Sequence, residues 1–210
     1  MIKINKENIL GLILAGGQSK RMGNINKSLA IINNKSLLEI TLSLVKKQLN
    51  TVIINSNVRL NIANKYNLPI IKDSLSGFFG PLAGILAAME YANKKKIKWL
   101  LTVPCDAPFF PKDLTKKLLS HAIKKKKDIV IAKSGGRNHP VFGIWSTSLT
   151  KSLKTALKKK QIRKMDVWIE EHNFSVVNFV YDKIDPFFNI NDQKDLKRAN
   201  KIYKNVKSIK

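Results

Sequence analysis

Short apolar runs alternating with amphipathic stretches constrain this chain more than any other feature. "ILGLIL" (9–14) is closed by glycines, "TVIINSN" (51–57) is β-branched and ends polar, and "LPIIKD" (68–73) is entered at Pro69. "WLLTVPCD" (99–106) is halted by Pro104, and "DIVIAK" (128–133) follows. Near-continuous apolar character over so few residues is what a strand buried on both faces requires. Helical patterns separate these runs. Leu38, Leu42, Val45 and Leu49 recur at steps of four, three and four, an apolar stripe along one helix face. "GPLAGILAAMEYANKKK" (80–96) opens with a proline at a first-turn position, where its missing N–H costs nothing, and "PKDLTKKLLSHAIKKK" supplies another helix. Strand and helix in alternation predict a three-layer α/β/α arrangement around a mostly parallel, Rossmann-like sheet.

The later region is less regular. "HPVFGIW", a helix from Ser148 to Lys160, "VVNFVY" and a final helix from Asp192 are expected to extend the sheet and close one side of a cleft. No internal repeat, linker or low-complexity segment divides the chain, and 44% hydrophobic residues in 210 suffice for one core. Residues 1–210 are therefore expected to form a single domain.

In open α/β sheets, ligands lie beyond the carboxyl ends of the strands. That rule places Leu14, Ala15, Gly16 and Gly17, then Asn55, Asp73 and Pro104 to Asp106, on the rim of one cleft. The stretch "LILAGGQSKRMGNINK" (12–27) leaves the first strand through two glycines into a basic loop. A Walker loop needs Gly-Lys-Ser/Thr five places after its first glycine. Here Gly16 is followed at that distance by Arg21, and Gly17 by Met22. The Gly-x-Gly-x-x-Gly dinucleotide fingerprint fails as well, because Gly16 and Gly17 are adjacent and Gly23 lies too far along. Glycines still let backbone N–H groups approach phosphates, and Arg21 and Lys27 supply charge. On the loop alone, a triphosphate cradle and a glycine turn in a lysine-rich chain are equally open.

"LAGGQSKRMGNINK" resembles the signature of nucleotidyltransferases of the glycosyltransferase-A-like fold. Within them it is similar to the molybdenum cofactor guanylyltransferase family, whose members join GMP from GTP to molybdopterin. "INSN" (54–57), "KDSLSGFFGPLAGILAAM" (72–89), "VPCDAPFFP" (103–111), "NHPVFGIW" (138–145) and "FFNINDQKDL" (187–196) fall in that family's order and spacing, so the resemblance spans nearly the whole chain. It implies that Leu14, Ala15 and Gly16 hold the guanine and ribose end and that Gly17 opens the phosphate loop. Arg21 and Lys27 would bind phosphates and act in catalysis, and Asn55 and Asp73 would read the nucleoside. Asp106 would hold Mg2+. Asn189 and Asn191 would lie near the metal and the acceptor phosphate, with His139 on the pterin side. GTP and molybdopterin would be the substrates. The implied setting is the cytoplasm, with transient contact to molybdoenzymes or their chaperones. The family alternative is a transferase that uses CTP or another phosphorylated acceptor.

Two positions depart from the family pattern. Lys27 follows Asn26 where an aspartate is usual, and the usual Gly-Lys-Pro turn reads Asn34-Lys35-Ser36. Asparagine tolerates positive φ, so the second change is expected to be structurally cheap.

Blander readings compete at several residues. Asp106 could start the helix that follows, although Asp113 lies closer to that start, and Asp73 could cap a loop. Cys105 at a strand end is expected to be an inert small hydrophobe, and the lone cysteine excludes an internal disulfide. His121 and His172 are read as surface residues within helices; with His139 and one cysteine they show no zinc spacing. Trp99, Trp145 and Trp168 are expected to pack, with Trp145 the one to test against the pterin.

The charge of +25 raises nucleic acid as a partner. Yet only five of the 39 basic residues are arginines (Arg21, Arg59, Arg137, Arg163 and Arg198), whereas bidentate phosphate and base contacts favour arginine. Lysine runs at 94–96, 124–127 and 158–160 fall where helices should end, complementing the macrodipole. The reading is therefore a solvated basic surface without nucleic acid. No run approaches the length of a membrane span, and the first residues do not form a signal-peptide pattern.

Overall fold

The computed structural model describes residues 6–16, 27–75 and 79–208. Strand β1 (Ile9–Leu14) lies between β4 (Thr51–Asn55) and β6 (Trp99–Pro104), parallel to both. Among the described residues the main sheet has seven strands in the order β5-β4-β1-β6-β8-β7-β9. Its other members are β5 (Ile70–Ile71), β7 (Ile129–Ser134), β8 (Arg137–Ser146) and β9 (Phe174–Asn178). Only β8 runs antiparallel to its neighbours, β6 and β7. The third strand contracts from the expected 68–73 to two residues because it is an edge: it has β4 on one side only.

The strands alternate their side chains between two apolar layers. Ile9, Ile13, Val52, Ile54, Leu101 and Val103 face helices α1 (Leu37–Lys46), α2 (Asn61–Lys65) and α4 (Leu114–Lys125). Leu10, Leu12, Ile53, Leu100, Ile129 and Trp145 face α3 (Pro81–Lys94), α5 (Thr150–Lys158) and α6 (Met165–Glu170). The three-layer α/β/α expectation holds. α2 and α6 escaped sequence reading because neither is long enough to establish a period.

A small hairpin, β2 (Ile31–Ile32) with β3 (Lys35–Ser36), precedes α1. Its turn uses Asn33 and Asn34 at φ 46° and 64°, as the asparagine substitution foretold. Ser36 then caps α1: its hydroxyl accepts from the Glu39 N–H while Glu39 accepts from the Ser36 N–H, a closed capping box. The final helix α7 (Gln193–Ser208) packs Ala199 against a satellite core of Ala30, Ile32, Leu37, Ile40 and Ile190. The hairpin and the end of the chain are thereby joined, and the Asn33 N–H donates to Asn200 Oδ1 at 3.1 Å.

Asp113 occupies the cap position of α4, but its carboxylate takes Lys117 at 3.0 Å instead of capping. Gln48 does that work from beyond α1, its Oε1 accepting from both the N–H and the hydroxyl of Thr115. The lysine runs close α3, α4 and α5 as expected, and Lys96 and Lys126 take left-handed conformations at φ 57° and 51°.

Candidate active site

The carboxyl ends of β4, β1 and β6 form one stitched edge. Leu14 lies level with Asn55 on one side and Pro104 on the other. Past the last ladder pair, the Ala15 N–H donates to the Asn55 carbonyl at 2.9 Å, and the Cys105 N–H donates to the Leu14 carbonyl at 3.0 Å. Leu14 is half-buried, Ala15 buried and Gly16 exposed, so the backbone surfaces where the basic loop begins. Gly17 and Arg21, both expected in the site, lie outside the described residues.

On the β4 side, two asparagines grip one carboxylate. Asn55 Nδ2 donates to Asp73 Oδ1 at 2.9 Å, and Asn57 Nδ2 donates to Asp73 Oδ2 at 2.8 Å. The Asp73 N–H donates back to Asn57 Oδ1 at 3.1 Å. Each carboxylate oxygen keeps a second lone pair for a ligand donor. Asn57 was not singled out from sequence; its signal was its place in "INSN". Asn55 is 4% exposed and lies over the first turn of α3. A Cβ at Gly84 would stand 2.3 Å from Asn55 Oδ1 and 2.9 Å from Leu14 Cδ2, so only glycine fits this approach. Gly80, at φ 58°, brings the chain into that helix.

On the β6 side, Lys27 Nζ donates to Asp106 Oδ2 at 3.1 Å and to Asn191 Oδ1 at 2.9 Å. Three expected site residues therefore meet. The segment that carries Asn191 is fastened by the Ile190 N–H to the Asp106 carbonyl at 2.8 Å, and by the Asn191 N–H to Asp195 Oδ2 at 2.8 Å. Asn189, also expected here, is an exposed neighbour in that segment. Among the described residues no group of three or more His, Cys, Asp or Glu could by itself hold a metal. The oxygens that do converge, a carboxylate and an amide carbonyl, already share one cation. Such a hard, sparse donor set fits Mg2+ carried with phosphates, which needs few protein ligands.

His139 lies at a bulge. β7 and β8 pair regularly up to Ile131 with Gly143, and the next pair is Ala132 with His139. His139 Nε2 is 2.7 Å from Ser134 Oγ, which donates to Asp185 Oδ1 at 2.8 Å. The imidazole packs on Phe187 with ring centres 4.9 Å apart. Burial holds the His139 pKa below its ordinary value and Arg137 adds to that, while Asp185 opposes them.

Of the remaining expectations, the packing of Trp145 and the inertness of Cys105 hold, and the helical placement of His172 is corrected. Trp145 is fully buried, donates to Thr102 Oγ1 at 2.9 Å and stacks on Trp168, so it faces the core and not a pterin. His172 lies beyond α6 and not within a helix, its Nε2 2.7 Å from Ser152 Oγ and its Nδ1 2.7 Å from the Trp168 carbonyl. His121 does sit on α4, with its Nε2 2.9 Å from Ser175 Oγ. Cys105 is buried, and burial pushes its thiol far above the ordinary range, which suits an inert residue. Arg163 was absent from the expected site, yet its guanidinium lies over Phe79, 5.7 Å from the ring centre, at the amino end of α3. Nothing in its sequence context separated it from other surface cations.

A mostly parallel sheet with one reversed strand, the exposed Gly16 just past β1 and a carboxylate after β6 on the same edge make the frame of an α/β nucleotidyltransferase. The chain belongs to the MobA-like NTP transferase domain family, whose model matches residues 11–173. It is 34% identical over 194 residues to a molybdenum cofactor guanylyltransferase of Nitrobacter hamburgensis, covering 91% of this chain and 93% of that one. A molybdenum cofactor guanylyltransferase of Rhizobium leguminosarum bv. trifolii is 38% identical over 202 residues, covering 93% of each chain. In fold it is similar to molybdopterin-guanine dinucleotide biosynthesis protein A of Archaeoglobus fulgidus, with a TM-score of 0.73 at 24% identity, over 93% of this chain and 99% of that one. No helix among the described residues is long and apolar enough to cross a membrane.

Proposed function

We propose that this chain transfers GMP from GTP to the terminal phosphate of molybdenum-bearing molybdopterin and releases pyrophosphate. The observation that carries this reading is the meeting of Lys27, Asp106 and Asn191 on the same sheet edge as Asn55 and Asp73. In this reading Lys27 and Asp106 serve the phosphates and Asn55 and Asp73 the base, on either side of the end of β1.

An oxygen of the acceptor phosphate attacks the α-phosphorus of GTP in line. A new P–O bond forms as the bond to the β-phosphate oxygen breaks, and the electron pair leaves with pyrophosphate. The attacking group is already anionic, so no protein nucleophile is required, and catalysis reduces to positioning and charge stabilisation. Lys27, with Arg21, neutralises charge on the leaving group. Asp73, steadied by Asn55 and Asn57, accepts from the N–H groups of guanine. Asp106, with Asn191 beside it, is the residue to hold Mg2+, which when bound supplies positive charge to the phosphate oxygens. The reaction belongs in the cytoplasm, and its product passes to molybdoenzymes or their chaperones.

The test is a binding panel of GTP, CTP and ATP, each with and without Mg2+, read by thermal stabilisation. GTP with Mg2+ should stabilise most. Equal stabilisation by CTP or ATP would reject the guanine assignment in favour of a related transferase.

A further inference from the structure

The lysine runs of α3, α4 and α5 stand at helix ends, where the macrodipole favours cations, but the basic residues of α7 follow another pattern. Lys194, Lys197, Arg198 and Lys201 are all exposed. At about 100° per residue they share one helix face about 100° wide. Leu196, Ala199 and Tyr203 occupy the opposite side and pack toward the β2–β3 hairpin. Helix stability does not account for this stripe. Lys194 lies in the first turn, where the macrodipole disfavours a positive charge. It faces Lys197 and Arg198 at spacings of three and four, and Lys201 faces the same two, so like charges repel along the row.

Acids do not relieve that repulsion. Among the described residues, neither Lys194, Lys197 nor Lys201 has a carboxylate within ion-pair distance. The two acids of this turn are spent on backbone N–H groups: Asp195 Oδ2 accepts from Asn191 at 2.8 Å, and Asp192 Oδ1 accepts from Asp195 at 2.9 Å. The stripe begins beside the transfer site. Asn191, whose Oδ1 takes Lys27, is held by Asp195, the residue next to Lys194. Arg198 lies with its guanidinium 4.9 Å from the ring centre of Phe188, in the segment that carries Asn189 and Asn191. From Lys194 to Lys201 the row runs about 10 Å at 1.5 Å per residue. That length matches the range of a charge in water at about 0.1 M salt.

We propose that the exposed face of α7 is an electrostatic approach surface for phosphate-bearing substrates, drawing them from solution to the Lys27 side of the cleft. This rests on the guanylyl-transfer reading and deepens it by giving part of the basic surface a role in substrate capture. A nucleoside triphosphate and a phosphorylated acceptor share the chemistry it recognises, a small polyanion. Lysine suits passage and not retention, because its ammonium is a strongly hydrated point charge on a flexible stem and lacks the rigid fork of arginine.

The test is the association rate of a fluorescent GTP derivative with Mg2+, followed by stopped flow in two variants of equal charge loss. One carries Lys194→Gln, Lys197→Gln and Lys201→Gln. The other carries Lys95→Gln, Lys124→Gln and Lys125→Gln, exposed lysines at the ends of α3 and α4, which lead back to the amino ends of β6 and β7. At about 20 mM salt the association rate should fall roughly fivefold to tenfold in the α7 variant and less than about twofold in the other, with dissociation little changed in both. The difference should close by about 0.5 M salt. The α7 variant should melt no lower than the parent, because it loses only repulsion. An equal fall in both variants overturns the inference, since net charge alone would then account for capture. An unchanged rate in the α7 variant overturns it too, as does a fall that persists at high salt. Failure of the guanylyl-transfer reading looks different: the parent would bind GTP no better than CTP or ATP, and the comparison of the two variants would still decide the role of α7 with whichever triphosphate binds.

Discussion

Lys27 Nζ stands 3.1 Å from Asp106 Oδ2 and 2.9 Å from Asn191 Oδ1, although 79 and 164 residues separate them along the chain. Each partner comes from a different element: the 3-10 helix Lys27–Leu29, the end of β6, and the segment before α7. The lysine holds the carboxylate in place, and both side chains are only about a fifth to a quarter exposed.

From that geometry, Asp106→Ala should reduce guanylyl transfer by a factor of about a thousand or more, the scale of a lost electrostatic contribution in a transition state. Stability should fall by about 1–3 kcal/mol without loss of the fold, because the pair is mostly buried and its loss takes a charged partner from Lys27. Steady-state kinetics beside a thermal melt would check both halves. Near-normal turnover in a folded variant removes Asp106 from the mechanism.

Lys27→Ala and Arg21→Ala should each raise the GTP KM or lower kcat by roughly tenfold or more, since charge-assisted phosphate contacts are the strong ones. The contribution should weaken as salt is added. Unchanged kinetics in both variants would make the stretch from Gly16 to Lys27 a solvated turn and nothing more.

Gly84→Ala probes the base side without touching a charge. The added Cβ would fall 2.3 Å from Asn55 Oδ1 and 2.6 Å from its Cγ, so the amide must leave its place. Asp73 then loses one of its two asparagine partners. The expected cost is about 1–3 kcal/mol of stability, as for other overpacked sites, with a GTP KM that rises more than kcat falls. Normal GTP affinity in this variant would show that Asn55 does not position Asp73.

Much of this site could be read from the chain because strand ends announce themselves. Leu14, Asn55 and Pro104 each close an apolar run, and a parallel sheet puts such ends on one edge. The partners that complete the site were harder to see. Asn57 is one polar residue on a surface rich in them, and only folding brings it to Asp73. Gln48 caps α4 across 67 residues, a contact no local pattern can signal. Trp145 packs as expected, although it shares the "NHPVFGIW" stretch with His139. A bulge separates His139, paired with Ala132, from Trp145, paired with Ile129.

Glu90 gives the site a pH dependence of definite sign. On α3, its Oε2 accepts from Ser74 Oγ at 2.7 Å and its Oε1 accepts from Lys154 Nζ at 2.9 Å. Burial raises its pKa, but the bonds from Lys154 and Ser74, with the charges of Lys154 and Lys94, outweigh it, and the group lies below its ordinary 4.5. The unfolded carboxylate therefore takes up its proton first as pH falls. The stabilisation is fully present above about pH 4.5 and is lost as pH drops through the folded value. Glu90→Gln should flatten the acid limb of the stability curve, while at neutral pH it costs only about 0–1 kcal/mol because Lys154 is half exposed. Ser74 adjoins Asp73, so the same variant should raise the GTP KM modestly at neutral pH. Urea melts from pH 3 to 7 decide the matter: identical acid limbs in parent and variant would mean that Glu90 does not tether the Asp73 loop.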